Sequence, residues 1–140
     1  MRYLGLDLGT RTLGISLSDI TKTIANTYKT IRFNEGDYLF LISQLKKIIE
    51  DEEIDKIVLG FPKNMNNTIG QRAEETILFK RMLEDACKIE VILQDERLTT
   101  VEANNYMINA DMSRKKRKEK IDTLAANIIL QTYLDKMKGR

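Results

Sequence analysis

Three acidic spots fall where carboxylates could do chemistry. Asp7 sits in Tyr3-Leu-Gly-Leu-Asp-Leu-Gly-Thr-Arg11, a short apolar run with one carboxylate placed just before the run gives out at Gly9. Asp95-Glu96 and Asp122 also lie beside apolar runs. A buried, unpaired carboxylate costs several kcal/mol or more, so such groups are exposed, hydrogen-bonded or bound to a cation. Three carboxylates brought together raise each other's pKa and repel unless a cation stands between them. Hard oxygen ligands suit Mg²⁺ or Mn²⁺. Two such ions about 3.5–4 Å apart activate water and stabilise the leaving oxygen in phosphodiester hydrolysis. The functional question is whether the three spots meet.

Composition narrows the chemistry. The 140 residues contain no histidine, which removes Ser-His and Cys-His nucleophilic catalysis, histidine zinc sites and histidine general bases. Metal-dependent hydrolysis on carboxylates is untouched by that absence. Cys87 is the single cysteine, so neither an internal disulfide nor a cysteine zinc cluster is available, and it reads as a small buried hydrophobe near a helix end. Hydrophobic content of 42% with 31% charged residues is that of a soluble globular chain, and the length suits one domain, 1–140. No apolar run approaches the roughly 20 residues that span a bilayer. Met1 leads straight into a strand-like run, so no signal peptide, no membrane contact and a cytoplasmic location are expected. The net charge of +2 is compatible with nucleic acid without being evidence for it.

The elements that must position these acids follow from periodicity. Residues 2–8 read as a strand. Residues 12–18 alternate, with Leu13, Ile15 and Leu17 on one face and Gly14, Ser16 and Ser18 on the other. Gly9-Thr10-Arg11 joins the two as a hairpin, and a third strand is expected at about 23–31. Tyr38, Leu41, Ile42, Leu45, Ile48 and Ile49 recur at helical spacing behind an Asp37 N-cap. Ile54 to Gly60 is a fourth strand. A second helix starts near Thr68, with Thr68 and Gln71 as a capping box and Ala73, Ile77, Met82 and Ala86 as its apolar stripe. Ile89 to Leu93 is a fifth strand, Thr99 with Glu102 opens a third helix to about 109, a charged loop runs from Asp111 to Glu119, and a last helix covers about 120–137.

The order β-β-β-α-β-α-β-α-α makes strands four and five parallel to strand one by right-handed crossovers. Ligand sites in such sheets lie at the C-terminal ends of the parallel strands. Asp7, Gly60 and Asp95-Glu96 sit at such ends, and face one crevice if strands one, four and five are neighbours. Ala125 and Ala126 lie one turn after Asp122 on the same side of the last helix, and small residues there let it approach the sheet.

Asp7-Leu-Gly9, Leu13-Gly-Ile-Ser-Leu-Ser-Asp19, Val58-Leu-Gly-Phe-Pro62 with Asn66-Asn-Thr-Ile-Gly-Gln-Arg72, Asp95-Glu-Arg-Leu-Thr-Thr100 and Ile121-Asp-Thr-Leu-Ala-Ala126 together resemble the YqgF/RuvX family. The motifs fall in the family's order over nearly the whole chain. One departure is Asn67, where many members carry glycine. Asparagine tolerates a left-handed turn, so the departure weighs little. The resemblance implies an α/β, ribonuclease H-like fold: a five-stranded mixed sheet, three antiparallel N-terminal strands then two parallel ones, with helices on both faces. It implies a nuclease processing the 5′ end of pre-16S rRNA, a family also long proposed as Holliday junction resolvases. By the matching motifs Asp7, Glu96 and Asp122 would be the acidic metal-binding set, with Asp95 the competitor to Glu96.

Cations near these spots are the nucleic-acid candidates. Lys63 and Arg72 flank the loop after strand four, and Thr10 and Arg11 follow Asp7. Arg97 binds phosphate or pairs with Asp95. Arg114, Lys115, Lys116 and Arg117, continuing to Lys118 and Lys120, are the densest positive charge and precede Asp122. Expected partners are pre-rRNA and the small ribosomal subunit precursor, or branched DNA, for a monomer or weak dimer. A resolvase needs two crevices and hence a dimer. An actin-like ATPase would need a second lobe that 140 residues do not supply, and a non-catalytic RNA- or ribosome-binding module has no need of the three acids.

Overall fold

The computed structural model describes residues 1–62, 67–95 and 114–139, with the side chains of 67–69, 71 and 114–123 outside that description. The chain runs β1 (Arg2–Leu8), β2 (Thr12–Ser18), β3 (Ala25–Arg32), α1 (Tyr38–Asp51), β4 (Ile54–Phe61), α2 (Asn67–Cys87), β5 (Glu90–Asp95) and α3 (Arg114–Met137). The sheet order is β3-β2-β1-β4-β5, so β1, β4 and β5 are neighbours as the site requires. The first three strands pair antiparallel, and β4 and β5 join β1 in parallel. The expected five-stranded mixed sheet is therefore present. The hairpin closes where Gly9 N donates to Thr12 O at 2.8 Å, and a Cβ on Gly9 would stand 3.1 Å from that oxygen.

Strand alternation divides the core between two faces. Leu4, Leu6 and Leu8 of β1, with Leu13, Ile15, Ile31, Ile57, Leu59 and Val91, pack under Leu41, Leu45 and Ile48 of α1 and Phe79 and Leu83 of α2. On the other face Val58, with Tyr3 and Ile92 beside it, packs under Ile129, Leu130, Tyr133 and Leu134 of α3. β4 is buried on both faces, which accounts for its unbroken Ile57-Val-Leu59 run.

Asp37 caps α1, accepting from the Phe40 amide at 3.4 Å. Three expectations shift, while α2, expected from near Thr68, starts at Asn67, and the side chains of the Thr68–Gln71 capping box lie outside the described residues. Its buried stripe is Thr76, Phe79 and Leu83, while Ala86 is exposed and Ala73, Ile77 and Met82 are half-buried. Phe79 sets that phase, because the largest apolar side chain takes the centre of the face and the alanines are left at its edge. Thr76 tolerates burial because its hydroxyl donates to Arg72 O at 2.8 Å. The expected charged loop 111–119 is helical from Arg114 onward: lysine and arginine are good helix formers, and nothing from 114 to 137 is Gly or Pro. β3 and β5 each begin and end one or two residues later than their patterns indicate. The helix expected at 99–109 lies outside the described residues. Cys87 ends α2 half-buried against the core, and burial raises its thiol pKa.

Candidate active site

Asp7 is the sixth residue of β1 and is only 8% exposed. It shares parity with Tyr3 and Gly5, so it belongs to the α3 face, opposite the Leu4-Leu6-Leu8 face. Its partner on β2 is Gly14. On β4 the residue beyond the Leu6–Leu59 pair is Gly60, itself paired with Gln94. The carboxylate thus has glycine on both neighbouring strands. That leaves space beside it for a ligand or an approaching backbone.

α3 crosses this face at close range. Ser16 Oγ donates to the carbonyl of Ala126 at 2.9 Å, a fully buried bond across 110 residues of chain. A Cβ on Gly5, the partner of Ser16, would come within 2.7 Å of Leu130 Cβ and 3.1 Å of Ala126 O. Ala125 and Ala126 are buried, as their small size led one to expect. The helix is oriented by its far end, where the Tyr133 ring packs tilted against that of Tyr3 at 6.1 Å and Gln131 bonds Thr23 and Ala25. Its N-terminal half therefore points toward the end of β1 that carries Asp7. Helix position 122 lies one turn, about 6 Å, before Ala126. Asp7 lies two residues, about 6.7 Å, beyond Gly5. Asp7 and helix position 122 are thus on one face of the sheet at one height.

Asp95 is exposed, pairs with Phe61, and has the parity of Val91 and Leu93, which pack on the α1/α2 face. It is therefore on the side of the sheet opposite Asp7. Glu96 and Arg97 lie outside the described residues, as does Lys63. Among the described residues no three acidic, histidine or cysteine side chains converge as a metal cage.

Arg72 is exposed near the start of α2 and lines a small crevice with Leu8, Gly9, Thr10, Glu75 and Thr76. The structure so brings together Arg72 and Thr10, which the sequence nominated separately. Arg11 is exposed in the hairpin turn, and its carbonyl accepts from Phe33 N at 2.9 Å. Arg114, Lys115, Lys116 and Arg117 occupy the first turns of α3, which extends toward the Asp7 end. Sequence reasoning missed Thr12, Thr30 and Arg32, which share the Asp7 face through the register of β2 with β3. Alternation in β2 could have found Thr12, but the expected third strand stopped one residue short of Arg32.

The family model RuvX, described as Holliday junction resolvase, matches residues 1–136. A Bacillus subtilis protein named "Putative pre-16S rRNA nuclease" is 52% identical over 137 residues, covering 98% of this chain and 99% of its own. A Listeria monocytogenes protein of the same name is 47% identical over 135 residues, covering 96% and 98%. Among solved structures, Thermus thermophilus RuvC in complex with a Holliday junction substrate aligns with TM-score 0.62 at 10% identity, covering 99% of this chain and 96% of that one. The fowlpox virus Holliday junction resolvase aligns with TM-score 0.56 at 12% identity, covering 97% and 99%. These two likenesses establish the ribonuclease H-like fold. By the family match over residues 1–136 and relatives near half identity, the chain belongs to the RuvX family and is a nuclease.

Proposed function

We propose that this nuclease, acting as one domain in the cytoplasm, cuts the 5′ end of the pre-16S rRNA in a metal-dependent reaction, with Asp7, Glu96 and Asp122 as its acidic set. One observation carries the reading: Asp7 is a buried carboxylate at the end of a central strand, with glycine on both neighbouring strands and an acidic position of α3 at its height. Buried carboxylates are rare unless paired, hydrogen-bonded or bound to a cation, and an acid flanked by glycines suits the last of these. Glu96 is preferred to Asp95 because Asp95 belongs to the face opposite Asp7.

The donor set fits a hard divalent cation, Mg²⁺ or Mn²⁺, since all three groups are carboxylates and the space beside Asp7 is free of side chains on both strands. Bound there, the cation would supply an activated water and charge stabilisation at the phosphate. The chain's own residues hold and position. Asp7 orients ligand against the glycine floor, and Arg72 and Thr10 take phosphate oxygens in their shared crevice. The basic first turns of α3 draw the polyanion in without reading its sequence.

The Holliday junction reading is second, favoured by the family description and by the likeness to RuvC. It needs two crevices and therefore a dimer. Cleavage of a labelled pre-16S 5′ segment and a four-way DNA junction, each with Mg²⁺ or Mn²⁺, separates the two. RNA cutting alone supports the first; paired, symmetric cuts in the junction support the second.

A further inference from the structure

The α3 face of the sheet carries more than the acid of β1. Asp7 stands opposite Gly14, and Gly14 opposite Thr30; one step nearer the hairpin turn, Thr12 stands opposite Arg32. Ile31 packs into the core with Leu13, so alternation turns Thr30 and Arg32 to the other face, that of Asp7. β3 is the edge of the sheet, and Arg32 is exposed there. Among the described residues its side chain makes no ion pair or hydrogen bond. Two strand spacings across and two residues along place its Cα about 12 Å from that of Asp7. Between them lies Gly14, buried and without a side chain, while Thr12 and Thr30 are half-buried beside it.

We infer that Thr12, Thr30 and Arg32 form a backbone-phosphate subsite on the β3 side of Asp7, for a nucleic-acid strand that leaves the site over the exposed edge of the sheet. Arg32 holds a phosphate roughly three to four nucleotides from the bond being cut, at ~3.4 Å of axial rise per nucleotide. The inference rests on the nuclease reading of Asp7. Arginine suits the task because its planar fork takes two phosphate oxygens at once, and threonine hydroxyls donate to the same backbone. The subsite is sequence-blind and serves RNA and DNA alike. An edge-strand arginine that only discourages pairing between sheets needs no ligand.

The test is the salt dependence of binding, measured without divalent ions in an Asp7→Asn background, so that cleavage plays no part. The probes are a single-stranded RNA oligonucleotide, an RNA duplex and a four-way DNA junction. Arg32→Ala should weaken binding several-fold at low salt on every probe it binds. It should also reduce the slope of log affinity against log salt by about 0.7 to 0.9, the value for one lost phosphate contact. Arg32→Lys should restore most of the slope, and Lys47→Ala, an exposed cation of α1, should leave it unchanged. Unaltered slope and affinity in Arg32→Ala, with binding intact, would overturn the subsite and leave the nuclease reading standing. Binding to none of the probes would overturn the subsite. Wild-type cleavage measured in parallel then tells whether the nuclease reading falls with it.

Discussion

Ser16 and Ala126 are joined by a hydrogen bond of 2.9 Å that pins the last helix to the sheet two residues from Asp7 along β1. Gly5 makes the contact possible, because any side chain there would strike Leu130 and the Ala126 carbonyl. The helix position that carries the third acid is thus set by a glycine, a serine and an alanine, none of which can do the chemistry.

Gly5→Ala should therefore be more damaging than its size implies. Its Cβ would strike the Ser16 hydroxyl that bonds the helix, and behind it Leu130 Cβ and the Ala126 carbonyl, which cannot give way without moving the helix. Overpacking of this kind costs about 1–3 kcal/mol, readable as a lower urea midpoint. A displacement of α3 by ~1 Å should also cut the rate by up to about 100-fold under conditions where the protein remains folded. Ser16→Ala should be milder, about 0.5–1.5 kcal/mol, because it removes one hydrogen bond without forcing the helix away.

The face that Asp95 takes in β5 bears on which of the two adjacent acids does the chemistry. Asp95→Asn should retain most of the cleavage rate, since Asp95 belongs to the face away from Asp7. Glu96→Gln should lose it. Equal loss in both variants, measured at saturating Mn²⁺, would contradict the assignment.

Arg72 and Thr10 share a crevice beside the hairpin turn. Arg72→Ala should raise KM more than it lowers kcat, and the effect should shrink as salt is added, as for a phosphate contact. A change confined to kcat at all salt concentrations would point instead to a role in positioning the acids.

Acid stability should depend on the β2–β3 connection. The Thr21 hydroxyl and the Ile24 and Thr23 amides donate to the Asp19 carboxylate and lower its pKa from 3.8 to about 2. A carboxylate depressed on folding adds stability that is complete above its unfolded pKa and is lost as pH falls from about 4 to about 2. Asp19→Asn should flatten the fall of Tm across that window. An identical Tm profile for variant and wild type would show that the loop does not hold the charged form.

Much of this was legible from residue order. β1 and β2 are readable to the residue, because alternation and the Gly9 turn leave no other register. The Asp37 cap and the close approach at Ala125-Ala126 were likewise written in residue type. The phase of α2 was not, since Phe79 competes with a weaker alanine and methionine pattern and only tertiary packing decides between them. The basic run of α3 looked like a loop because dense charge is common to solvated loops and to exposed helical turns. Of the site, Asp7 was legible as an apolar-strand acid. Which face Asp95 takes depended on where β5 ends, and the place of Arg32 depended on β3 reaching one residue further than its pattern.

The most direct measurement compares wild type with Asp7→Asn, at matched thermal stability, on the labelled pre-16S 5′ segment and the four-way junction. Each is titrated with Mn²⁺ and Mg²⁺ and then with a chelator. The predicted result is cutting of the RNA that requires the divalent ion, stops on chelation and is abolished in a variant that still folds and binds nucleic acid. Undiminished cutting by Asp7→Asn, or cutting that survives the chelator, would contradict the claim that the buried carboxylate of β1 is the centre of the site.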